Sequence, residues 1–490
     1  MKKIIIPIAA LAALMISGCE AAYDMPGAMY DNASMMNYAM EGGEEEPSGD
    51  RFDKIVENPF VETATEPVST FSVDADGAAY AYMRMCLTNG FLPFPNAVRI
   101  EEYLNYFTFD YPDPQDGATV ALNAEAGPCP WNQQHKLLRL GIKGKSLAAE
   151  EVPQANFVFL VDVSGSMNSA DKLPLLKKSL ITMLGYMRPS DRIALVKYAS
   201  GTELVLQSTS VSNRKTIENA INNLVAGGST AGASGMKMAY EEAQKNYIQG
   251  ANNRVIMGTD GDFNVGITGT DAICEFVEEY AAKGIYLTIC GFGSGNLNDS
   301  MMEKVSNCGN GTYEYIDSEG ELTKVFVNER SKFVSVANDC KTQVTFNPEV
   351  VARYRLIGYE NRVLQNEDFE NDKVDAAEIG AGQTITALYE LEMAAPDGSI
   401  GKFDFRYKDA LGEDSKLVSL ELPAAGNKTS ENLQFASSIA AYGLWLRDSQ
   451  YKCEASLDMA IELAQNSIGK DPYGLRSEYV KLLQKAATIK

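Results

Sequence analysis

Histidine is nearly absent from this chain: His135 is the one imidazole in 490 residues. Ser-His-Asp and Cys-His hydrolases, multi-histidine zinc sites and two-histidine iron sites need imidazole at defined places, so most of them are excluded. His135 stands just ahead of an apparent strand and reads as an ordinary surface residue. Basic side chains are also in short supply, 43 against 66 acidic ones, for a formal net charge of −23. Such a field repels phosphate backbones and anionic lipid surfaces, which argues against nucleic acid as a partner and against electrostatic membrane binding. No cysteine pair has CxxC spacing, so a structural zinc site has no ligand set. Beyond the first residues, no apolar run is long enough to cross a bilayer.

What is present begins with an export signal. Lys2 and Lys3 form a positive start, and 4–16 is an apolar stretch too short to span a membrane. It ends in Ile16-Ser17-Gly18-Cys19, which resembles the bacterial lipobox. That resemblance implies cleavage of 1–18, acylation of Cys19 and a lipid anchor; the competing reading is an ordinary signal peptide with a chance cysteine. Residues 19–50 lack apolar periodicity and read as a flexible tether. The methionines in it (25, 29, 35, 36 and 40) are soft donors, but no histidine or cysteine accompanies them for copper. Seven cysteines remain after Cys19, an odd number that cannot all pair within one molecule. An oxidising envelope accommodates one or two disulfides, with connectivity unreadable from sequence. Cys290 sits in an apolar run and reads as a small core residue.

The body divides into four stretches. Residues 51–150 form an N-terminal α+β segment, with helical spacing from 97 and an alternating strand at 137–142. From 155 to 335 strands and helices alternate, which calls for a doubly wound, Rossmann-like α/β domain with one antiparallel edge strand. Stretches such as 342–346, 352–359 and 384–391 suggest a β-sandwich-like region over 336–424. Residues 431–490 then read as two or three amphipathic helices.

Doubly wound sheets bind ligands at the carboxyl ends of their strands, near the point where strand order reverses. Three expected loops there carry oxygen donors: Asp162-Val-Ser164-Gly-Ser166, Gly227-Gly-Ser229-Thr230, and Thr259-Asp260-Gly261-Asp262. A carboxylate and two hydroxyls at alternating positions can converge on one small cation, and hard oxygens suit Mg²⁺ or Mn²⁺. The competing reading is that Asp162, Ser164 and Ser166 merely cap the next helix. Asp262 reads as a supporting or capping residue, and the Lys and Gly spacing of a phosphate loop is missing.

These motifs resemble the metal-ion-dependent adhesion site of von Willebrand factor A domains, whose pattern is DxSxS, then Thr, then Asp. The resemblance covers 155–335 with the elements in order. It implies direct ligation by Ser164 and Ser166, by Thr230 in the ligand-competent state, and by Asp162 and Asp260 directly or through water. The sixth position is then left for a partner's carboxylate. Further motifs, among them Thr70-Phe-Ser-Val-Asp, Pro95-Asn-Ala-Val-Arg-Ile-Glu-Glu and Tyr354-Arg-Leu-Ile-Gly-Tyr-Glu-Asn-Arg, look like bacterial YfbK-type A-domain lipoproteins over 65–490. One departure is Gly232-Ala-Ser-Gly, less regular than that family's glycine-rich run, which leaves the groove shape beside Thr230 open.

The expected function is a lipid-anchored cell-envelope protein that binds an acidic side chain of a protein ligand through Mg²⁺ or Mn²⁺. The alternative is an assembly or quality-control adaptor working with an ATPase. An enzyme is disfavoured, since no nucleophile–base pair is visible and a bare Asp-Ser-Ser site lacks a second metal.

Overall fold

The computed structural model describes residues 49–489, apart from 75, 149, 230–234, 262–268, 373, 375 and 411. The leader, Cys19, the tether up to 48, Thr230 and Asp262 therefore lie outside the described residues.

Alternating apolar strands and amphipathic helices build a six-stranded sheet: β1 (Ala155–Asp162), β2 (Arg192–Tyr198), β3 (Thr202–Ser210), β4 (Asn252–Thr259), β5 (Ile285–Phe292) and β6 (Tyr313–Ile316). Their spatial order is β6-β5-β4-β1-β2-β3. All neighbours are parallel except the edge pair β2–β3, as the sequence predicts. Order reverses at β1, so the switch point lies beside its carboxyl end.

The near-continuous apolar character of β1 reflects burial on both faces. Val158 and Leu160 pack towards α3 (Gly235–Lys245) and α4 (Thr270–Ala281). Phe157, Phe159 and Val161 pack on the other face against α1 (Leu173–Leu184), whose Leu173, Leu176 and Leu180 form one stripe, and against Ile217 and Ile221 of α2 (Arg214–Asn222). Each such side chain withdrawn from water stabilises the fold by about 1.5–3 kcal/mol. Cys290 lies in this second core, and burial pushes its thiol pKa up. A disulfide joins Cys274 on α4 to Cys308 at the end of α5 (Asp299–Cys308).

The last helical stretch of this domain is not one regular helix. α6 (Glu319–Thr323) runs into a π turn, Lys324–Asn328, and then a 3₁₀ turn, Arg330–Phe333. In this form the buried ammonium groups of Lys324 and Lys332 both reach Glu329, at 2.9 and 3.6 Å, while Val325, Phe326 and Phe333 stay in the core.

The stretches on either side of this domain meet in space. One five-stranded antiparallel sheet runs Val61–Glu62, Val351–Ile357, Thr384–Met393, His135–Gly144, Val120–Pro128. A second, six-stranded, runs Val363–Leu364, Val68–Ser72, Ser335–Phe346, Gly401–Lys408, Lys416–Leu422, with Ile379–Gly380 also pairing the start of Ser335–Phe346. Their apolar faces share one core, including Phe71, Leu138, Val344, Tyr389 and Phe403. Residues from 51–150 and from 336–424 thus form a single sandwich into which the α/β domain is inserted. The terminal helices Glu431–Leu446, Leu457–Gln465 and Leu475–Ala486 bury Phe435, Ile439 and Tyr479 against Tyr80, Tyr103 and Phe107 of the N-terminal segment.

His135 differs from the surface residue expected. It opens a central strand and is half-buried, with Nδ1 2.7 Å from Oε1 of the buried Glu390. Burial alone would push Glu390 up, but hydrogen bonding from His135 and the charge of Arg355 hold its carboxyl below the usual range. Among the described residues, no helix is long and apolar enough to cross a membrane.

Candidate metal centre

Asp162 is the last residue of β1, and Asp260 directly follows β4, the parallel neighbour of β1. Parallel register therefore sets two carboxylates side by side at the switch point. Between them, the hydroxyl of Thr259 donates to Asp162 Oδ2 at 3.3 Å. The backbone N–H of Ser164 donates to Asp162 Oδ1 at 2.8 Å, which folds the loop back over its own carboxylate. The hydroxyl oxygens of Ser164 and Ser166 lie 3.0 Å apart. Asp162, Ser164 and Asp260 are buried, whereas Ser166 and Ser229 are exposed at the mouth.

The second loop is tied to the first by backbone bonds, Gly165 N to Gly228 O at 3.0 Å and Gly227 N to Val163 O at 2.8 Å. Ser229 N donates to Ser200 Oγ at 2.9 Å, which fixes the backbone up to the residue before Thr230. At the start of the third loop, position 261 lies so close to Asn296 that it requires glycine. Its φ is 139°, and a Cβ would stand 1.7 Å from the Asn296 carbonyl oxygen.

Burial pushes the Asp162 carboxyl above the usual range, against hydrogen bonds from Ser164, and the charge of Asp260 adds to the push. The helix-capping role is not what these residues perform. Ser164 precedes the 3₁₀ turn Gly165–Asn168 without a side-chain capping bond, and α1 likewise starts without one. The hydroxyls are therefore left for other work, and the donor set of two carboxylates and two hydroxyls suits a hard divalent cation. Four of the five expected ligands (Asp162, Ser164, Ser166 and Asp260) are brought together at one mouth; Thr230 lies outside the described residues.

One participant is not visible from the motif. Lys172, ten residues after Asp162 and immediately before α1, places Nζ 2.8 Å from Asp260 Oδ2, and both side chains are buried. In sequence it reads only as the start of a helix; nothing about the position signals that its side chain turns into the loop cluster.

A second carboxylate group lies deeper. Oxygen atoms of Asp74, Glu102 and Glu303 all fall within 4.8 Å of one another. Two guanidinium groups already meet them: Arg362 reaches Asp74 at 2.9 Å and Glu303 at 3.1 Å, while Arg99 pairs with Glu102 and Asp299. This is an ion-pair network joining the N-terminal segment, α5 and the C-terminal strands.

Comparison with known proteins gives the following similarities. The family model "von Willebrand factor type A domain" matches 156–328, "von Willebrand factor" matches 46–139, and "Uncharacterized protein YfbK, C-terminal" matches 331–400 and 392–489. Uncharacterized protein YfbK of Escherichia coli is 40% identical over 469 residues, covering 90% of this chain and 81% of that protein. Inter-alpha-trypsin inhibitor heavy chain H3 of Homo sapiens is 26% identical over 277 residues, or 51% of this chain and 30% of that one. Among solved structures, a von Willebrand factor type A protein from Catenulispora acidiphila aligns with 76% of this chain and 91% of its own, at 16% identity and a TM-score of 0.43.

Proposed function

This chain belongs to the YfbK-type family of von Willebrand factor A domain proteins, and from that premise we propose that it is a lipid-anchored cell-envelope protein that captures an acidic side chain of a protein ligand through Mg²⁺ or Mn²⁺. Domains of this type are generally interaction modules, often metal-dependent. The observation that carries the metal-dependent reading is the convergence of Asp162, Ser164, Ser166 and Asp260 at the switch point, with hydroxyls not spent on helix capping.

A bound cation there would be held by these four residues together with Thr230. It would supply Lewis acidity towards an incoming carboxylate. Neutral hydroxyl donors leave the ion electrophilic, so a ligand carboxylate gains more than it would from a fully carboxylate-lined site. Because the chain itself carries a charge of −23, an acidic ligand is otherwise repelled, and on this reading the cation supplies the attraction. The Ile16-Ser17-Gly18-Cys19 motif supports the anchor, and the Cys274–Cys308 disulfide suits an oxidising compartment.

The test is a pull-down from envelope extract with residues 49–490 in Mg²⁺, in EDTA, and as Asp162→Ala in Mg²⁺. A partner held only by the unmodified protein in Mg²⁺ is the expected result. A partner retained in all three conditions would move the function to the sandwich or the helices.

A further inference from the structure

A buried carboxylate is stabilised by a counter-charge, and Asp260 has one from the chain itself. We propose that Lys172 is the resident counter-cation of Asp260 and a built-in competitor that sets how tightly the site binds a divalent metal. The inference rests on the metal-site reading above and concerns how that site is tuned.

The geometry shows a provision made for this side chain. The Lys172 ammonium is 2.8 Å from Asp260 Oδ2, within charge-assisted hydrogen-bond distance. Its aliphatic stem runs across Gly293, where a Cβ would stand 2.3 Å from Cε and 2.7 Å from Cγ. Gly293 has a φ of 70°, and its carbonyl accepts from the Tyr315 hydroxyl at 2.8 Å, so the surface under the lysine is firmly placed. On the other side, Asp50 accepts from the N–H groups of Gly295 and Leu297 at 2.7 and 2.9 Å, which secures the far end of the same loop. The Gly261 backbone packs on Asn296 of that loop as well. Asp260 and its cation are therefore gripped by one contiguous framework.

The charge arithmetic follows. Asp260 is paired with Lys172, whereas among the described residues Asp162 accepts from the Ser164 N–H and the Thr259 hydroxyl, both neutral donors. A divalent ion recruiting Asp260 must either displace the ammonium or accept a positive neighbour in a partly buried site, and both lower its affinity. Removing the positive charge while keeping the stem removes that competition.

The experiment titrates Mn²⁺ into residues 49–490 by calorimetry, with electron paramagnetic resonance counting free ion. The unmodified protein is compared with Lys172→Met, Lys172→Gln and Asp162→Ala. Methionine preserves the apolar stem and glutamine its polarity, and thermal melting selects whichever folds like the parent. The expected result is Mn²⁺ binding at least about tenfold tighter in the lysine variants, the scale of one charge contact in a partly buried site. Mn²⁺ binding that Asp162→Ala abolishes but that the lysine variants leave equal or weaker would overturn the role of Lys172 with the metal site intact. No Asp162-dependent Mn²⁺ binding in the parent or in either lysine variant would overturn the site itself, and the inference with it.

Discussion

The guanidinium of Arg362 meets the carboxylate of Asp74 at 2.9 Å, across 288 residues of chain that include the whole inserted α/β domain. The same Arg362 nitrogen lies 3.1 Å from Glu303 on α5. One side chain thus links the two halves of the sandwich and the domain between them. Removing it strands buried carboxylates, which costs about 3–5 kcal/mol. Arg362→Ala is accordingly expected to lower the urea midpoint by that equivalent. A midpoint within experimental error of the parent would show that the network contributes no net stability.

At the metal mouth, the Ser164→Ala, Ser166→Ala double variant removes both hydroxyls and no charge. Neither hydroxyl caps a helix and each is the other's hydrogen-bond partner, so removing both together should leave the melting stability within about 1 kcal/mol of the parent. Calorimetric Mg²⁺ binding should be lost. A folded double variant with parental Mg²⁺ affinity would place the ion elsewhere.

The Cys274–Cys308 bridge closes a loop with a sequence separation of 34. Chain-entropy reasoning assigns such a loop about 3–4 kcal/mol of stabilisation. Denaturant unfolding with and without dithiothreitol measures it directly, and the paired Cys274→Ser, Cys308→Ser variant should match the reduced protein. Equal stability in both redox states would remove the bridge from the stability account.

Glu101 predicts an unusual pH dependence. Burial, with the charge of Glu360 adding to it and Arg447 opposing, pushes its pKa up to about 8 from an ordinary 4.5. Between those values the unfolded chain has released the proton and the folded chain retains it. Stability therefore falls as pH rises from about 4.5 to about 8, by at most about 1.4 kcal/mol per pH unit from this one group. Urea midpoints at pH 5 and pH 8 should differ in that direction, and Glu101→Gln should shrink the difference. An unchanged slope in the variant would assign the effect to other buried acids such as Asp76 and Glu102.

By itself, the sequence determined the α/β domain over 155–335 and its candidate metal loops. Those features are local: a strand buried on both faces must read as a continuous apolar run, a helix on it must carry a 3.6-residue stripe, and the DxSxS donors are neighbours in the chain. Parallel register then carried Asp162 and Asp260 to adjacent strand ends without further information. Tertiary structure decided what depends on partners distant in the chain. Val68–Ser72 pairs with Ser335–Phe346, and His135–Gly144 with Thr384–Met393, because each half-sheet's apolar face can be covered only by strands from beyond the insert. His135 became the partner of buried Glu390 for the same reason. Lys172 turned inward because the buried carboxylate of Asp260 needs a positive charge and Gly293 leaves room for the stem that brings it.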